Sequence, residues 1–367
     1  MKRVTIRDLH WLIGPQAPPC LSVYLTLDAE WPGGPEDCRR LNALLEEAGR
    51  RLATSLPRDE VNALLKPMAR GLERGWPPRA RALALLRSHE VNLAFELPFE
   101  VPALAIVADA FHTKPLLRDA DRSRFFVLRL LGGGGAELLE GTPEALAEVE
   151  PSRTPRALRA ALAGELREGE VAGRPLRLVA GAGREGEARL RRRFRALDDA
   201  LCAFLDDRGT PLVLAGVAEH HAPFRAVSAY PHLLDDGIEE EVADLEALHA
   251  RAWGVVRAHH EEVEQLAASQ FVSASLRGEA SDRLDEIAAA AADGRVGLLL
   301  HREGAHVPGR VDPRSGACAL GPGREAPAGG DVIDALCDLT LLRGGDVVEV
   351  HPSRMPSDSP IAAVFWS

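Results

Sequence analysis

Between Leu176 and Ala180 an apolar run ends on Gly181, Gly183 and Gly186, and a segment with helical periodicity follows at once. A buried strand that feeds straight into an amphipathic helix is the building unit of layered α/β folds. The same alternation recurs along the chain. In residues 20–27, Leu21, Val23, Leu25 and Leu27 alternate with Cys20, Ser22, Tyr24 and Thr26, the period of a half-buried strand. A helix over residues 35–53 places Leu41, Leu45, Ala48 and Leu52 on one face, and a second runs from about Arg58 to Leu72. Ala82–Leu86 and Val91–Leu97 predict a hairpin, residues 103–109 a further strand, and Pro115 a change of direction.

Two apolar runs flank Gly132–Gly135, which predicts a hairpin with a flexible turn, because a strand rather than a helix follows the glycines. A short helix is expected over residues 154–166 and a buried strand over 210–217. Ile238, Val242, Leu245, Leu248, Ala252 and Val255 form the stripe of a long helix, with Glu239, Glu240 and Glu241 in its first turn, where the dipole favours negative charge. Further on, residues 281–294 predict a helix with a capped start and Gly294 as its stop. A strand over 295–301, a Gly/Pro-rich loop from about Glu303 to Gly330, a helix over 331–345 and two closing strands complete the series.

At 367 residues the chain is long for one core, so two or three domains are expected. Its apolar runs fall short of the roughly 20 residues that span a bilayer, and the N-terminus lacks a signal peptide's apolar core, so no membrane partner and a cytoplasmic location are expected. Five widely spaced cysteines (20, 38, 202, 318 and 337) exclude a disulfide framework and a zinc knuckle. The net charge of −11 argues against sequence-blind binding of nucleic acid over the whole surface, though not against one basic patch. Such a patch exists. Arg184, Arg189, Arg191, Arg192, Arg193 and Arg195 stand against only Glu185 and Glu187 between 184 and 195, while Leu190, Phe194, Leu197 and Leu201 form one buried stripe. Either the arginines cover a solvated face paired with nearby acids, or they contact phosphate oxygens, which the guanidinium fork matches.

The spacing Gly181-x-Gly183-x-x-Gly186 also fits a dinucleotide site, since it follows a strand and opens a helix. Against this stand Glu185 and Glu187 where a pyrophosphate would lie, and the displacement to Glu219 of the acid that would hold a ribose. The histidines offer no metal set: His259–His260 belongs on a solvated helix face, His220–His221 follows a strand with diverging side chains, and Tyr230 and His232 anchor a turn. No cofactor is expected.

Taken in order, FHTKPLL (111–117), FFVLRLLGGGGAELLEGT (125–142), PLVLAGV, AYPHLLDDGI, LHARAW, ASDRLDEIAAAAADGRVGLLL and DALCDLTLLRGGDVVEV, with SPIAAVF close to the C-terminus, resemble the bacterial and archaeal release-factor-like family. That family is related to the archaeal–eukaryotic class-one peptide-chain release factor superfamily. The resemblance covers about residues 20–367, and the order and spacing of the pieces carry it. It implies a multi-domain α/β chain: a mixed α/β N-terminal domain over 1–112, an RNase H-like middle domain over 113–277 and an L7Ae-like C-terminal domain over 278–367.

In true release factors the middle domain carries a Gly-Gly-Gln loop entering a basic helix and acts on the peptidyl-tRNA ester. The corresponding segment here, GAGREGEARLRRRF (181–194), keeps the glycines and the basic helix but lacks Gly-Gly-Gln, and no glutamine lies between Gln16 and Gln265. The resemblance therefore implies work on the ribosome or on tRNA in termination, rescue or stalled-ribosome handling. RNA contact would fall on Gly181, Gly183, Arg184, Gly186, Arg189, Arg191, Arg192, Arg193 and Arg195, and a protein partner could dock on the C-terminal domain. Whether the chain hydrolyses peptidyl-tRNA stays open, as do two alternatives: a non-catalytic ribosome-, RNA- or protein-binding module, and a nucleotide-binding enzyme using the three glycines.

Overall fold

The structure, a computed structural model, describes residues 3–72, 76, 80–122, 124–131, 135–164, 184–205, 209–239, 244–321 and 330–366. The chain is mixed α/β and divides into two compact units, Met1–Asp119 with Glu262–Ser367, and Ala120–Glu261. In the first unit β1 (Cys20–Thr26), β2 (Ala82–Arg87), β3 (Asn92–Leu97) and β4 (Leu104–Ala108) form an antiparallel sheet of order β3-β2-β1-β4. Helices α2 (Pro35–Leu52) and α3 (Arg58–Leu72) cover one face, with Leu41, Leu45, Ala48 and Leu64 packed on Leu21, Val23 and Leu25. A helix the sequence reading leaves out, α1 (Ile6–Ile13), starts on a Thr5–Asp8 capping box.

The half-buried expectation for β1 fails, because Cys20, Ser22 and Tyr24 on its second face are buried too. The cover is the segment that follows β4. Ser22 Oγ accepts the His112 N–H at 2.9 Å and Tyr24 Oη donates to the His112 carbonyl at 2.5 Å. Pro115 then lies in the first turn of α4 (Lys114–Arg122), where a missing N–H costs nothing.

The same unit holds a second sheet, of order β10-β15-β11-β14, built from β10 (Ala280–Ser281), β11 (Val296–Arg302), β14 (Asp346–Val350) and β15 (Ile361–Phe365). Helices α9 (Leu284–Ala292) and α10 (Val332–Leu342) pack on one face through Ile287, Ile333 and Leu336 against Leu299 and Ala363. The start of α9 differs from expectation: its N-cap is Arg283, with no side-chain cap. Ser281 Oγ instead accepts from the Arg283 N–H and donates to Glu286. Within the stretch read as loop lies a short hairpin, β12 (Gly309–Val311) with β13 (Cys318–Leu320).

A buried polar network ties residues 112–114 to α10. Asp334 Oδ1 accepts the Thr113 and Lys114 N–H groups at 2.9 and 2.6 Å, and Thr113 Oγ1 donates to Asp338 at 2.6 Å. Burial, reinforced by the charge on Asp334, pushes the Asp338 carboxyl far above the usual range, and the Thr113 hydrogen bond offsets this only in part. A raised folded-state pKa contributes stability below the unfolded value of about 3.9 and loses it as pH rises. Asp338→Asn, which removes the titration and keeps an acceptor for Thr113, should therefore gain on the wild type as pH climbs above about 4. Denaturant midpoints measured across a pH series check this, and parallel curves for the two proteins would contradict it.

The second unit carries a five-stranded sheet of order β7-β6-β5-β8-β9, comprising β5 (Phe125–Leu130), β6 (Ala136–Gly141), β7 (Leu146–Glu148), β8 (Leu212–Gly216) and β9 (Leu233–Ile238). β5, β8 and β9 run parallel, and β5–β6 is the expected antiparallel hairpin. Alternate residues face opposite layers. Phe126, Leu128, Leu212 and Leu214 meet α5 (Arg156–Ala163), α6 (Arg184–Leu205) and α7 (Ala218–Arg225) on one side, and Phe125, Val127, Val213 and Ala215 meet α8 (Leu245–Ser275) on the other. The structure corrects the start of the long helix: Ile238 ends β9, Glu239 precedes α8 rather than lying in its first turn, and α8 begins at Leu245. Among the described residues no helix is long and apolar enough to cross a membrane, and no group of three or more His, Cys, Asp or Glu side chains could hold a metal.

Candidate nucleic-acid interface

The arginine segment forms α6, a helix of 22 residues. Its register follows from the apolar stripe, since Phe194, Leu197, Leu201 and Leu205 are buried in the second unit's core and Leu190 packs partly against it. With that stripe fixed, the 100° step between successive residues leaves Arg189, Arg191, Arg192 and Arg195 on the outer faces, and all four are exposed. Arg193 is different. It borders the apolar stripe and is half-buried, and burial pulls its guanidinium below the usual arginine range. Among the described residues, Arg189, Arg191, Arg193 and Arg195 have no carboxylate partner within ion-pair distance.

Of the remaining expected contacts, Arg184 opens α6, while Gly181, Gly183 and the Leu176–Ala180 strand lie outside the described residues. Gly186 was expected in the loop, and the structure places it in the first turn of α6 instead. In the dinucleotide fingerprint the third glycine serves close helix–strand packing, so a helical Gly186 does not separate that reading from the others.

Two features under the helix were not read from the sequence. Asp198 sits within the apolar stripe and is buried, accepting Ser228 Oγ at 2.6 Å and the Ala229 N–H at 2.7 Å. An acid at the stripe position four residues beyond Phe194 is the signal that could have found it. The second feature is His220. Both His220 and His221 belong to α7, not to a loop, and both are buried. Burial is the main cause that lowers each imidazole below the usual histidine range, and the Arg193 charge adds to it at His220. Phe194 meets His220 and Phe224 edge to face, with ring centroids 6.0 and 5.5 Å apart. The expected anchoring at Tyr230 is present: its hydroxyl donates to the Thr210 carbonyl at 2.7 Å and its ring meets His232 edge-on.

Residues 124–295, which include this whole helix, match the model of bacterial archaeo-eukaryotic release factor family 3. Over that segment the chain is release-factor-like. No curated protein matches it. Among solved structures, the crystal structure of the archaeal translation termination factor aRF1 is 14% identical over 98% of this chain and 96% of that one, at a TM-score of 0.25. A model of ribosome-bound archaeal Pelota and ABCE1 is 13% identical over 100% and 95%, at 0.43. S. cerevisiae Dom34, a termination-like factor of RNA quality control pathways that interacts with Hbs1, is 13% identical over 75% and 72%, at 0.40. At TM-scores below 0.5 these likenesses assign no residue of this chain a role.

Proposed function

We propose that this release-factor-like protein acts in translation, on the ribosome or on tRNA, in termination, rescue or stalled-ribosome handling, and that α6 lies against an RNA backbone there. One observation carries the contact: the exposed guanidinium groups of Arg189, Arg191 and Arg195 have no carboxylate partner among the described residues, on a chain whose net charge is −11. A solvated face stabilised by its own acids would show those pairs. Unpaired arginine forks facing water bind phosphate oxygens by charge-assisted hydrogen bonds and release counterions as they do so. The match to the release factor family supplies the setting.

In this reading residues 1–112, 113–277 and 278–367 are the N-terminal, RNase H-like middle and L7Ae-like C-terminal domains, and the compact unit Ala120–Glu261 falls inside the middle one. The C-terminal domain is the docking place for a protein partner. Among the described residues none takes the place of the glutamine for hydrolysis of peptidyl-tRNA. Gly-Gly-Gln is missing from the sequence, and Glu187, the one described acid at that end of α6, is exposed to solvent, where it is ill placed to orient a water. The function is one of binding and positioning.

Co-sedimentation with ribosomes across a salt series tests it. Wild type should leave the ribosome as salt rises. The variant Arg189→Ala/Arg191→Ala/Arg195→Ala should bind at least about tenfold more weakly at low salt and respond less steeply to it. Equal recovery of the two proteins at every salt concentration would remove α6 from the contact.

A further inference from the structure

The second unit contains a small open cleft bordered by Leu130 and Leu131, Ala136, and Leu190, Arg193 and His220. Its position is fixed by topology. Leu130 is the last residue of β5, and His220 follows the end of its parallel neighbour β8. The crevice beyond the carboxyl ends of parallel strands is where open α/β sheets receive ligands. The strand ends here are tightly joined: Gly216, at φ +133°, lies so close to Leu130 that a β-carbon would stand 2.4 Å from the Leu130 carbonyl oxygen. No larger residue fits that corner, so the mouth of the cleft is held in shape.

Two polar groups border this otherwise apolar cleft. Arg193 is half-buried with no carboxylate within ion-pair distance among the described residues. His220 is 5% exposed, and its ring nitrogen Nδ1 has no hydrogen-bond partner. Buried polar atoms without partners cost stability and are uncommon in native proteins. A half-buried cation and an unpartnered imidazole that border one cleft share one complement, an oxyanion that accepts from the guanidinium and from the imidazolium together. We propose that the Arg193–His220 cleft is a subsite for a phosphate-type oxyanion. If α6 faces RNA as proposed above, the oxyanion is a backbone phosphate; if it does not, the same chemistry takes a free phosphate.

Binding of the anion should then be linked to protonation of His220. The charged groups around that ring are Arg193 on α6, which opposes protonation together with His221, and Glu219, which favours it; burial opposes it most. A bound anion reverses the balance at the ring. The pKa of His220 should rise on binding, and the anion should bind roughly tenfold more tightly near pH 5 than near pH 8.

Histidine-selective NMR of the full chain follows this directly, with inorganic sulfate as the free oxyanion, because its charge is constant over that range, and a short single-stranded oligoribonucleotide as the backbone. Chloride at matched ionic strength is the control. A rise in the His220 pKa with both probes supports the site and assigns it to RNA. A rise with sulfate alone supports the site and assigns it to free phosphate, whatever the ribosome experiment has shown. In Arg193→Gln, which keeps the packed stem, the shift should vanish, and in Arg193→Lys part of it should return. No movement of His220 with either probe, or an undiminished shift in Arg193→Gln, would overturn the proposal.

Discussion

Replacing Asp331 by alanine is expected to destabilise the first unit by about 3–5 kcal/mol, the range found when one partner of a buried ion pair is removed. Asp331 is buried and serves four donors at once. As N-cap of α10 its Oδ1 accepts the Ile333 N–H at 3.1 Å, and the same oxygen accepts the Val307 N–H at 3.0 Å. Its other oxygen takes Lys114 Nζ, and His306 Nδ1 lies 3.2 Å from that atom. Lys114 is itself mostly buried, so the substitution leaves an ammonium group with only the Ala305 carbonyl. Loss of the cap alone would cost about 1 kcal/mol. The unfolding midpoint in denaturant, at an unchanged slope, measures the difference. A loss near that of the cap alone would mean that Lys114 finds water when Asp331 is gone.

The same carboxylate sets the acid limit of the unit. Burial would raise the Asp331 pKa, but the His306 hydrogen bond and the charges of Lys114 and His112 outweigh it and hold the carboxyl well below the usual range. A depressed folded-state pKa means that the contribution is complete above the unfolded value of about 3.9 and is lost as pH falls below it. Asp338 runs the opposite way, being most favourable in acid. The network is therefore strained at both ends of the pH scale, and Asp331→Ala should flatten only the acid limb.

How much of this could be read from the residues depends on the range over which each feature is decided. The strands β5, β6, β8, β11, β14 and β15 are apolar runs closed by glycine, proline or charge, and local pattern was enough for them. β9 was missed because it is an edge strand whose centre reads Asp235, Asp236, Gly237, poor strand formers, and because Ile238 happens to continue the helical period of Leu245 and Leu248 backwards. β12 and β13 are three residues each and pair through their neighbours, not through propensity. In the candidate site the periodicity of α6 correctly separated the exposed arginines from the apolar stripe. It could not show that Arg193, only about 40° of arc from Leu197 on an ideal helix, borders the ends of β5 and β6. Nor could it find the partners of Asp331, Asp334 and Asp338. Their i, i+3, i+7 spacing on an apolar helix marks them as facing one way, but the donors that tie all three together, Thr113 and Lys114, lie more than two hundred residues earlier in the chain.

Phe194→Ala is the substitution that separates the arginine surface from what holds it in place. Phe194 is 4% exposed and packs edge to face on Phe224 and His220, so truncation should cost the second unit about 3–5 kcal/mol. Phe194→Leu keeps most of the volume and should cost much less. The charge of α6 is the same in both variants. A contact with RNA that depends on guanidinium groups alone would survive in each as long as the helix is folded, whereas one that needs the Arg193–His220 corner would weaken in the alanine variant first. The imidazole reports on that corner independently: burial is the largest cause of its lowered pKa, so admitting water at the Phe194 position should return His220 toward the ordinary histidine value. Denaturant unfolding gives the first quantity and histidine NMR the second. A stable Phe194→Ala protein with an unshifted His220 would show that the ring shields neither the helix nor the imidazole. The cleft would then owe its shape to the strand ends and Gly216 alone.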